Sequence, residues 1–382
     1  MKILITDILL RKSYDIHNII RTRYKAWTPI LLLDSTSLWN RLKSRLIYGA
    51  PIFTLRKSSY KDFEHDLLHI MSLSGDSEVV YLPVEEDTTL LFYRFIANHT
   101  IPNLFYNLPS RGIFELSRDK KKLSDFCRKN GIPIPEAFHA DNLEKLRQNF
   151  RPVVIKPKIG TGASQLLYIE KPEQLKLLES VDFGNTLVQE KIGAMNEVEG
   201  GFFLYHQNRL LSFYSHKRIR TYPLQGGVSV YSKFDRNGQL KEAGGELLGK
   251  LGWSGLAMVE FMFDKKTGKH KVIEINPRLW GSIILAEFSG TAILEKYVNS
   301  CCGIPHQTKE TIRENVYIRW LFPFDFFNYC VSFPKIKNFW KMSPKNTCYI
   351  NWTYAQKWRR IVYMIHFNFS LLVQLARKLF KI

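Results

Sequence analysis

Several features that would identify a protein class are scarce or missing in this 382-residue sequence. Its five cysteines are an odd number, include the adjacent pair Cys301 and Cys302, and show no CxxC spacing. That excludes a paired disulfide framework and a thiolate metal site, and predicts reduced thiols in a cytoplasmic protein. No GxGxxG follows the first apolar run, which removes support for dinucleotide binding. There is no internal repeat, no low-complexity tract and no RNP, helix-turn-helix or zinc signature, so nucleic-acid binding is not expected. The opening MKILITDILLRKSYD has one Lys before a short apolar run and no small-residue cleavage site, and is expected to be a first strand rather than a signal peptide. Acidic residues are the largest deficit: 35 Asp and Glu against 55 Lys and Arg, a net charge of +20. Residues 301–382 alone hold 13 basic and 3 acidic residues. Such an excess attracts phosphates in general, whether on nucleotides, nucleic acid or lipid, without choosing among them.

What is present is globular: 45% hydrophobic and 14% aromatic residues, in a chain long enough for two or three domains. From 1 to 116, short apolar runs (KILIT, TPILLLD, APIFTL, EVVYLPV, NLFYNL) alternate with helix-like stretches such as YDIHNIIRTRY and YKDFEHDLLHIM. This order predicts an open α/β layer with a largely parallel sheet. SRDKKKLSDFCRKNGIPIP then predicts a helix capped by Ser117 and stopped near Gly131. From about 150 the chain is strand-rich, and KEAGGELLGKLGW predicts a helix leading into the hairpin GLAMVEFMFDKKTGKHKVIEINP. A further helix is expected over about 282–301. The expected domains are 1–116 (α/β), 117–306 (α+β) and an aromatic, basic, helical extension over 307–382.

Four stretches carry candidate chemistry. With KKTGK as the hairpin loop, Asp264 faces His270, and counting back sets Glu260 opposite Glu274. Strand alternation puts Glu274, Asn276 and Arg278 on one face, with Ile273 and Ile275 on the other. Two carboxylates so opposed repel by about 4 kcal/mol at ~4 Å and an effective dielectric near 20. A hard divalent ion on Glu260, Glu274 and Asn276 would remove that penalty, as would structural salt bridges to Arg278 or nearby lysines. In VVIKPKIGTGASQLLYI, Lys156 ends an apolar strand ahead of Gly160 and Gly162, the reverse of the P-loop order, so it offers either a phosphate clamp with a lid or an ordinary glycine hairpin. LVQEKIGAMNE contributes Glu190 and, past a glycine break, Glu197, which by themselves read as surface carboxylates on a solvated face. In SHKRIRTYPLQGGVS, Arg218 and Arg220 are expected to share a strand face suited to carboxylates or phosphates.

The succession DKKKL, VVIKPKIGTGAS, VQEKI, HKRIRTYPLQGGVS, GLAMVEFMFD and VIEINPRLWGS resembles the ATP-grasp superfamily over about residues 1–305. The resemblance is to its carboxylate-amine ligase branch, with D-alanine:D-alanine ligase, biotin carboxylase and carbamoyl-phosphate synthetase. It implies a Rossmann-like pre-ATP-grasp domain before an ATP-grasp domain of two subdomains, hinged near 190–193. It further implies Lys120 and Lys156 as phosphate ligands, and Gly160, Thr161, Gly162, Ala163 and Ser164 as the lid. Glu190 with the backbone of Lys191 and Ile192 would meet adenine, and Glu197 the ribose hydroxyls. Glu260, Glu274 and Asn276 would hold Mg²⁺ or Mn²⁺, two ions, and Arg278 would steady the transferred phosphoryl group. The hinge lacks the family's common proline-glycine pair. Arg218 and Arg220 are the candidates for holding the acid substrate.

The function so implied is ATP-dependent joining of a carboxylate to an amine or thiol through an acyl-phosphate, in glycan, envelope or other small-molecule biosynthesis. Two alternatives remain: a kinase that phosphorylates a hydroxyl, and a nucleotide-binding protein without chemistry, recruited through its basic tail. In that tail, residues 357–382 place Ile361, Ile365, Phe369, Leu372 and Leu379 on one helical face and basic residues on the other. The uncharged stretch 361–376 is shorter than the ~20 residues a spanning helix needs. It is therefore expected either to lie on an anionic membrane surface, peripheral to the inner face, or to pack on the protein or at a homodimer interface.

Overall fold

The computed structural model describes residues 1–140, 143–160, 166–194, 197–222, 227–305, 311–332, 339 and 345–350. The chain forms two compact units, one of Met1–Tyr106 with the chain from Arg278 onward, the other of Asn107–Pro277.

The first unit begins with β1 (Lys2–Ile5), α1 (Arg11–Arg23), β2 (Thr28–Leu33), α2 (Leu38–Tyr48), β3 (Ile52–Thr54), α3 (Tyr60–Ser74), β4 (Val79–Tyr81), α4 (Glu86–Asn98) and β5 (Leu104–Phe105). The strands form a parallel sheet in the order β3-β2-β1-β4-β5. Ile3, Leu4, Ile5, Leu31, Leu32, Val79 and Val80 are almost wholly buried. Helix crossovers cover both faces of such a sheet, which is why its strands read as unbroken apolar runs. The order reverses between β1 and β4, the kind of switch point beside which α/β sheets open a crevice.

The second unit holds α5 (Arg111–Arg118), α6 (Lys120–Lys129), β6 (Ala137–Phe138), α7 (Leu143–Gln148), β7 (Val153–Pro157), β8 (Leu167–Ile169), β9 (Thr186–Glu190), β10 (Glu199–His206), β11 (Arg209–Tyr222), β12 (Val228–Asp235), α8 (Gly238–Lys250), β13 (Gly255–Asp264) and β14 (Lys269–Asn276). A small antiparallel sheet runs β6-β9-β7-β8, and a larger one β14-β13-β10-β11-β12. α6 and α8 cover one face of the larger sheet through Leu123, Cys127, Leu247, Phe203, Phe261 and Trp253. Gly244 makes the approach of α8 possible, because a Cβ there would overlap the Phe203 ring. The small sheet has its own core of Phe138, Leu146, Val153, Ile155 and Val188.

The chain then returns to the first unit with α9 (Ile283–Ser289), α10 (Ile293–Cys301), β15 (Tyr317–Arg319), α11 (Phe326–Ser332) and β16 (Thr347–Tyr349), β15 pairing β16 in parallel. The single helix expected over 282–301 is two helices. Gly290 is left-handed at φ 89°, and the buried Glu287 carboxylate accepts from the Leu294 N–H at the start of the second. The expected cap at Ser117 is also corrected. Its hydroxyl donates to the Phe114 carbonyl, while the Asp119 carboxylate accepts from the N–H groups of Lys121 and Lys122 and starts α6. Gly131, at φ 68°, does end that helix. The tail helix expected at 357–382 lies outside the described residues, and among those described no helix is long and apolar enough to cross a membrane.

Candidate active site

The β13–β14 hairpin closes through Asp264, whose carboxylate accepts from the Lys266 N–H and the Thr267 hydroxyl and pairs with Lys271 at 2.9 Å. The bond from Lys271 comes first among the interactions that hold this carboxyl down at about 2. Asp264 pairs with Lys269 rather than His270, so the loop is one residue shorter than the sequence suggests. The register then shifts between Glu260 and Phe261, because Ile273 is an extra residue on β14, and the shift restores Glu260 opposite Glu274. The bulge also separates the two isoleucines expected on one face. Ile275 enters the core under α8, whereas Ile273 packs against Ile192, Val198 and Met262.

Four cationic and amide groups surround the opposed carboxylates. Arg218 Nη2 meets Glu260 Oε1 at 2.5 Å, Lys120 Nζ lies 3.4 Å from Glu274 Oε2, and Asn276 Nδ2 donates to Glu274 Oε1 at 2.9 Å. Lys156, on β7, is buried, and its pKa is lowered to about 8. Burial is the largest cause; Glu274 opposes it, Lys120 reinforces it and Glu260 opposes it. Its ammonium has no hydrogen bond or ion pair among the described residues and feels its neighbours only through charge. Lys120 also donates from Nζ to the Gly160 carbonyl at 2.8 Å, and its backbone N–H donates to Lys158. This ties the start of α6 to the loop after β7. Gly160 is at φ 144°; Thr161, Gly162, Ala163 and Ser164 lie outside the described residues.

The two arginines of β11 do not act as a pair. Register shifts around Ile219 set Arg218 opposite Ser232 and Arg220 opposite Tyr231, consecutive residues that face opposite sides of β12. Arg218 reaches Glu260, while the Arg220 guanidinium lies 4.7 Å over the Tyr231 ring. Beside Arg218, His216 is buried and lowered to about 3, by burial first and by Arg218 second, so its imidazole is neutral. It pairs with Gly200, which in turn pairs with Glu260, so the three stand in one row across the sheet. The sequence offered no signal for His216 beyond its place two residues before Arg218.

At the end of β9, Glu190 is buried between Lys271 at 3.3 Å and Arg151 at 3.7 Å. Its N–H donates to the Glu136 carbonyl and that of Lys191 to Pro152, so both donors are engaged within the protein. Glu197 is half-exposed, accepts from the Ala194 N–H at 3.0 Å and pairs with Lys265 at 3.4 Å. The Ala194 bond comes first among the causes that lower its carboxyl. Gly193, at φ 72°, permits this turn, since a Cβ would lie 2.6 Å from Glu197 Oε2. Of the apolar patch of Ile192, Val198, Met262 and Ile273, only Ile192 was read from the sequence as part of the site. Met262 was accessible to that reading, because it lies two residues from Glu260 on the same strand face.

Arg278 belongs to the first unit. There its Nε donates to Glu86 at 3.2 Å and its Nη1 to the Leu279 carbonyl at 3.2 Å. Lys12 of α1 binds the same segment, donating to the Leu279 and Val84 carbonyls and pairing with Glu85 at 2.6 Å.

The donor set Glu260, Glu274 and Asn276 is all oxygen and hard, and fits Mg²⁺ or Mn²⁺ rather than a softer ion. Among the described residues no group of three His, Cys, Asp or Glu could hold a metal, so the carboxamide is needed as the third donor.

Residues 117–282 match the family model of the ATP-grasp domain, and this part of the chain is an ATP-grasp domain. The curated relatives include the carbamoyl phosphate synthase large chain, N-terminal section, of Methanopyrus kandleri. It is 23% identical over 185 residues, 44% of this chain and 33% of that protein. This chain thus spans about a third of the length of that relative. Among solved structures, biotin carboxylase from Campylobacter jejuni superposes with TM-score 0.60 at 17% identity, over 83% of this chain and 74% of that one. The biotin carboxylase domain of Hydrogenobacter thermophilus 2-oxoglutarate carboxylase, solved with MgADP, ADP and bicarbonate, gives TM-score 0.58 at 14% identity, over 83% and 73%. These likenesses establish the fold: a parallel α/β sheet together with the antiparallel sheets of an ATP-grasp domain.

Proposed function

We propose that this protein is an ATP-dependent ligase that activates a substrate carboxylate as an acyl-phosphate and joins it to an amine. The observation that carries this reading is the opposition of Glu260 and Glu274 with Asn276, Lys120, Arg218 and the ammonium of Lys156, which has no ion pair among the described residues, around them. Support also comes from the ATP-grasp match and from MgADP in the Hydrogenobacter domain. In this reading a carboxylate oxygen attacks the γ-phosphorus, the bond to the β–γ bridging oxygen breaks, and ADP leaves. The amine lone pair then attacks the acyl carbon, the carbon–oxygen bond to phosphate breaks, and the amine gives up a proton. Repulsion between carboxylate and triphosphate is the main barrier to the first step, and preorganised cations lower it. Lys156 and Lys120 would hold phosphate oxygens, Arg218 without Arg220 would hold the acid, and Gly160–Ser164 would close over the phosphates. Glu190, Lys191, Ile192 and Glu197 would receive the nucleoside. Glu260, Glu274 and Asn276 would hold two Mg²⁺ ions, which when bound supply charge neutralisation at the transferred group. Arg278, two residues past Asn276, would steady that group.

An ADP-release screen over carboxylate and amine pairs with Mg²⁺ tests the proposal. The expected result is release that needs both substrates and falls about 100-fold in Glu274→Gln. Release without any amine requirement would point instead to a kinase, and full activity in the variant would remove the metal assignment.

A further inference from the structure

Helix α2 carries two apolar faces where a surface helix normally has one. Ser44, Ile47 and Tyr48 face the first unit and are buried. On the opposite side Leu38 is 71% exposed, Trp39 72%, Leu42 47% and Leu46 54%. At 100° per residue these four side chains span one arc, flanked by Arg41 and Arg45 on one side and Lys43 on the other. The helix is well defined at both ends, by the Ser37 hydroxyl accepting from the Asn40 N–H and by Gly49 in the left-handed conformation. Between Asp34 and Asp62 the chain contains no acidic residue; Arg56 and Lys57 there pair with Asp62, Asp66, Asp7 and Asp34, which leaves Arg41, Lys43 and Arg45 as the basic residues of the helix itself.

Contiguous exposed apolar residues mark a surface that something covers. Charge selects the occupant. A second copy packed on this face would bring Arg41, Lys43 and Arg45 against their equivalents, in a chain that already carries +20. Residues 351–382 of the same chain would do likewise, since they contain six basic residues and no acidic one. A nucleic acid would satisfy the cations and leave the leucines in water. We propose that α2 is a docking surface for an anionic lipid bilayer, with Leu38, Trp39, Leu42 and Leu46 entering the headgroup–acyl boundary and Arg41, Lys43 and Arg45 meeting lipid phosphates. Trp and Leu between basic flanks are the side chains that such an interface favours. This surface is independent of the ATP-grasp reading and of the tail.

The test is sedimentation of the full chain with phosphatidylglycerol–phosphatidylcholine vesicles and with pure phosphatidylcholine vesicles. Binding is expected only to the first and should weaken with salt. The double variant Trp39→Glu/Leu42→Glu should lower partitioning at least about tenfold, given the apolar burial it removes. Arg41→Ala and Arg45→Ala should each lower it by about fivefold. All these side chains are exposed, so thermal unfolding midpoints should stay put and report that the variants fold. No binding by the wild-type chain, undiminished binding by Trp39→Glu/Leu42→Glu, or a change of that variant from dimer to monomer would each overturn the proposal, the last assigning the face to self-association.

Discussion

Lys12 in the first unit and Lys156 in the second are both buried, and in both burial is the main cause that lowers the ammonium to about 8. Their surroundings differ. Lys12 is saturated by two backbone carbonyls and the Glu85 carboxylate, and so fastens the segment at Leu279 to the loop after β4. Lys156 has carboxylates near enough to raise its pKa but no hydrogen bond or ion pair among the described residues. A buried cation with its donors filled is a structural part. One with its donors unfilled stores a desolvation cost that an anionic ligand can relieve. Equal pKa values thus go with different surroundings, and the proposed function gives the two lysines different roles.

Replacing each lysine by methionine should break the comparison cleanly. Lys156→Met is expected to lower kcat/KM for ATP by about 100-fold or more, with thermal stability unchanged or raised because a desolvated charge is gone. Lys12→Met leaves carbonyls and Glu85 without their donor and should cost about 1–3 kcal/mol of stability. Paired kinetics and melts on the two variants would check this. Equal loss of stability in both would mean that Lys156 too is structural.

pH offers a second separation. Both lysines have folded pKa values near 8, below the ordinary 10.5. The folded protein therefore binds fewer protons than the unfolded chain between about pH 8 and 10.5, and stability rises with pH across that window. Below about 8 both groups are charged in both states, and their unfavourable contribution is complete. In the proposed function Lys156 would hold phosphate in its charged form, so activity should move the opposite way. kcat/KM for ATP should fall about tenfold per pH unit above about 8. The kcat limb should lie higher, since bound phosphate stabilises the ammonium. The same limb should survive in Lys12→Met; its disappearance there would assign it to the wrong lysine.

Much of this arrangement is readable in the sequence because it follows strand alternation. The apolar runs give both layers, and counting back from KKTGK gives Glu260 opposite Glu274. That count succeeds through two offsetting departures, a loop one residue shorter and the extra Ile273. Bulges leave no mark in a binary apolar pattern, and for the same reason the shift at Ile219 separates Arg218 from Arg220 unannounced. Ser117 and Asp119 are both good caps by composition, and only the third dimension shows that the Ser117 hydroxyl is engaged by Phe114. Lys12 is the hardest case. Its partners are carbonyls at Val84 and Leu279, and any residue has a carbonyl.

The smallest expected effect lies at the apolar end of the site, where charge no longer decides. Ile273 is on the bulge itself and packs with Ile192, Val198 and Met262, beside the turn at Gly193. If that patch receives adenine, Ile273→Ala removes apolar contact worth roughly 1 kcal/mol, about a fivefold rise in KM for ATP. The same contact is made in the ground state and the transition state, so kcat should hold. Steady-state kinetics on Ile273→Ala beside Lys156→Met would then split the site into a part that sets KM and a part that sets kcat. A fall in kcat at constant KM would mean that Ile273 acts through the bulge, by moving Glu274 against Glu260, and that the patch is a support for the carboxylates rather than a seat for the base.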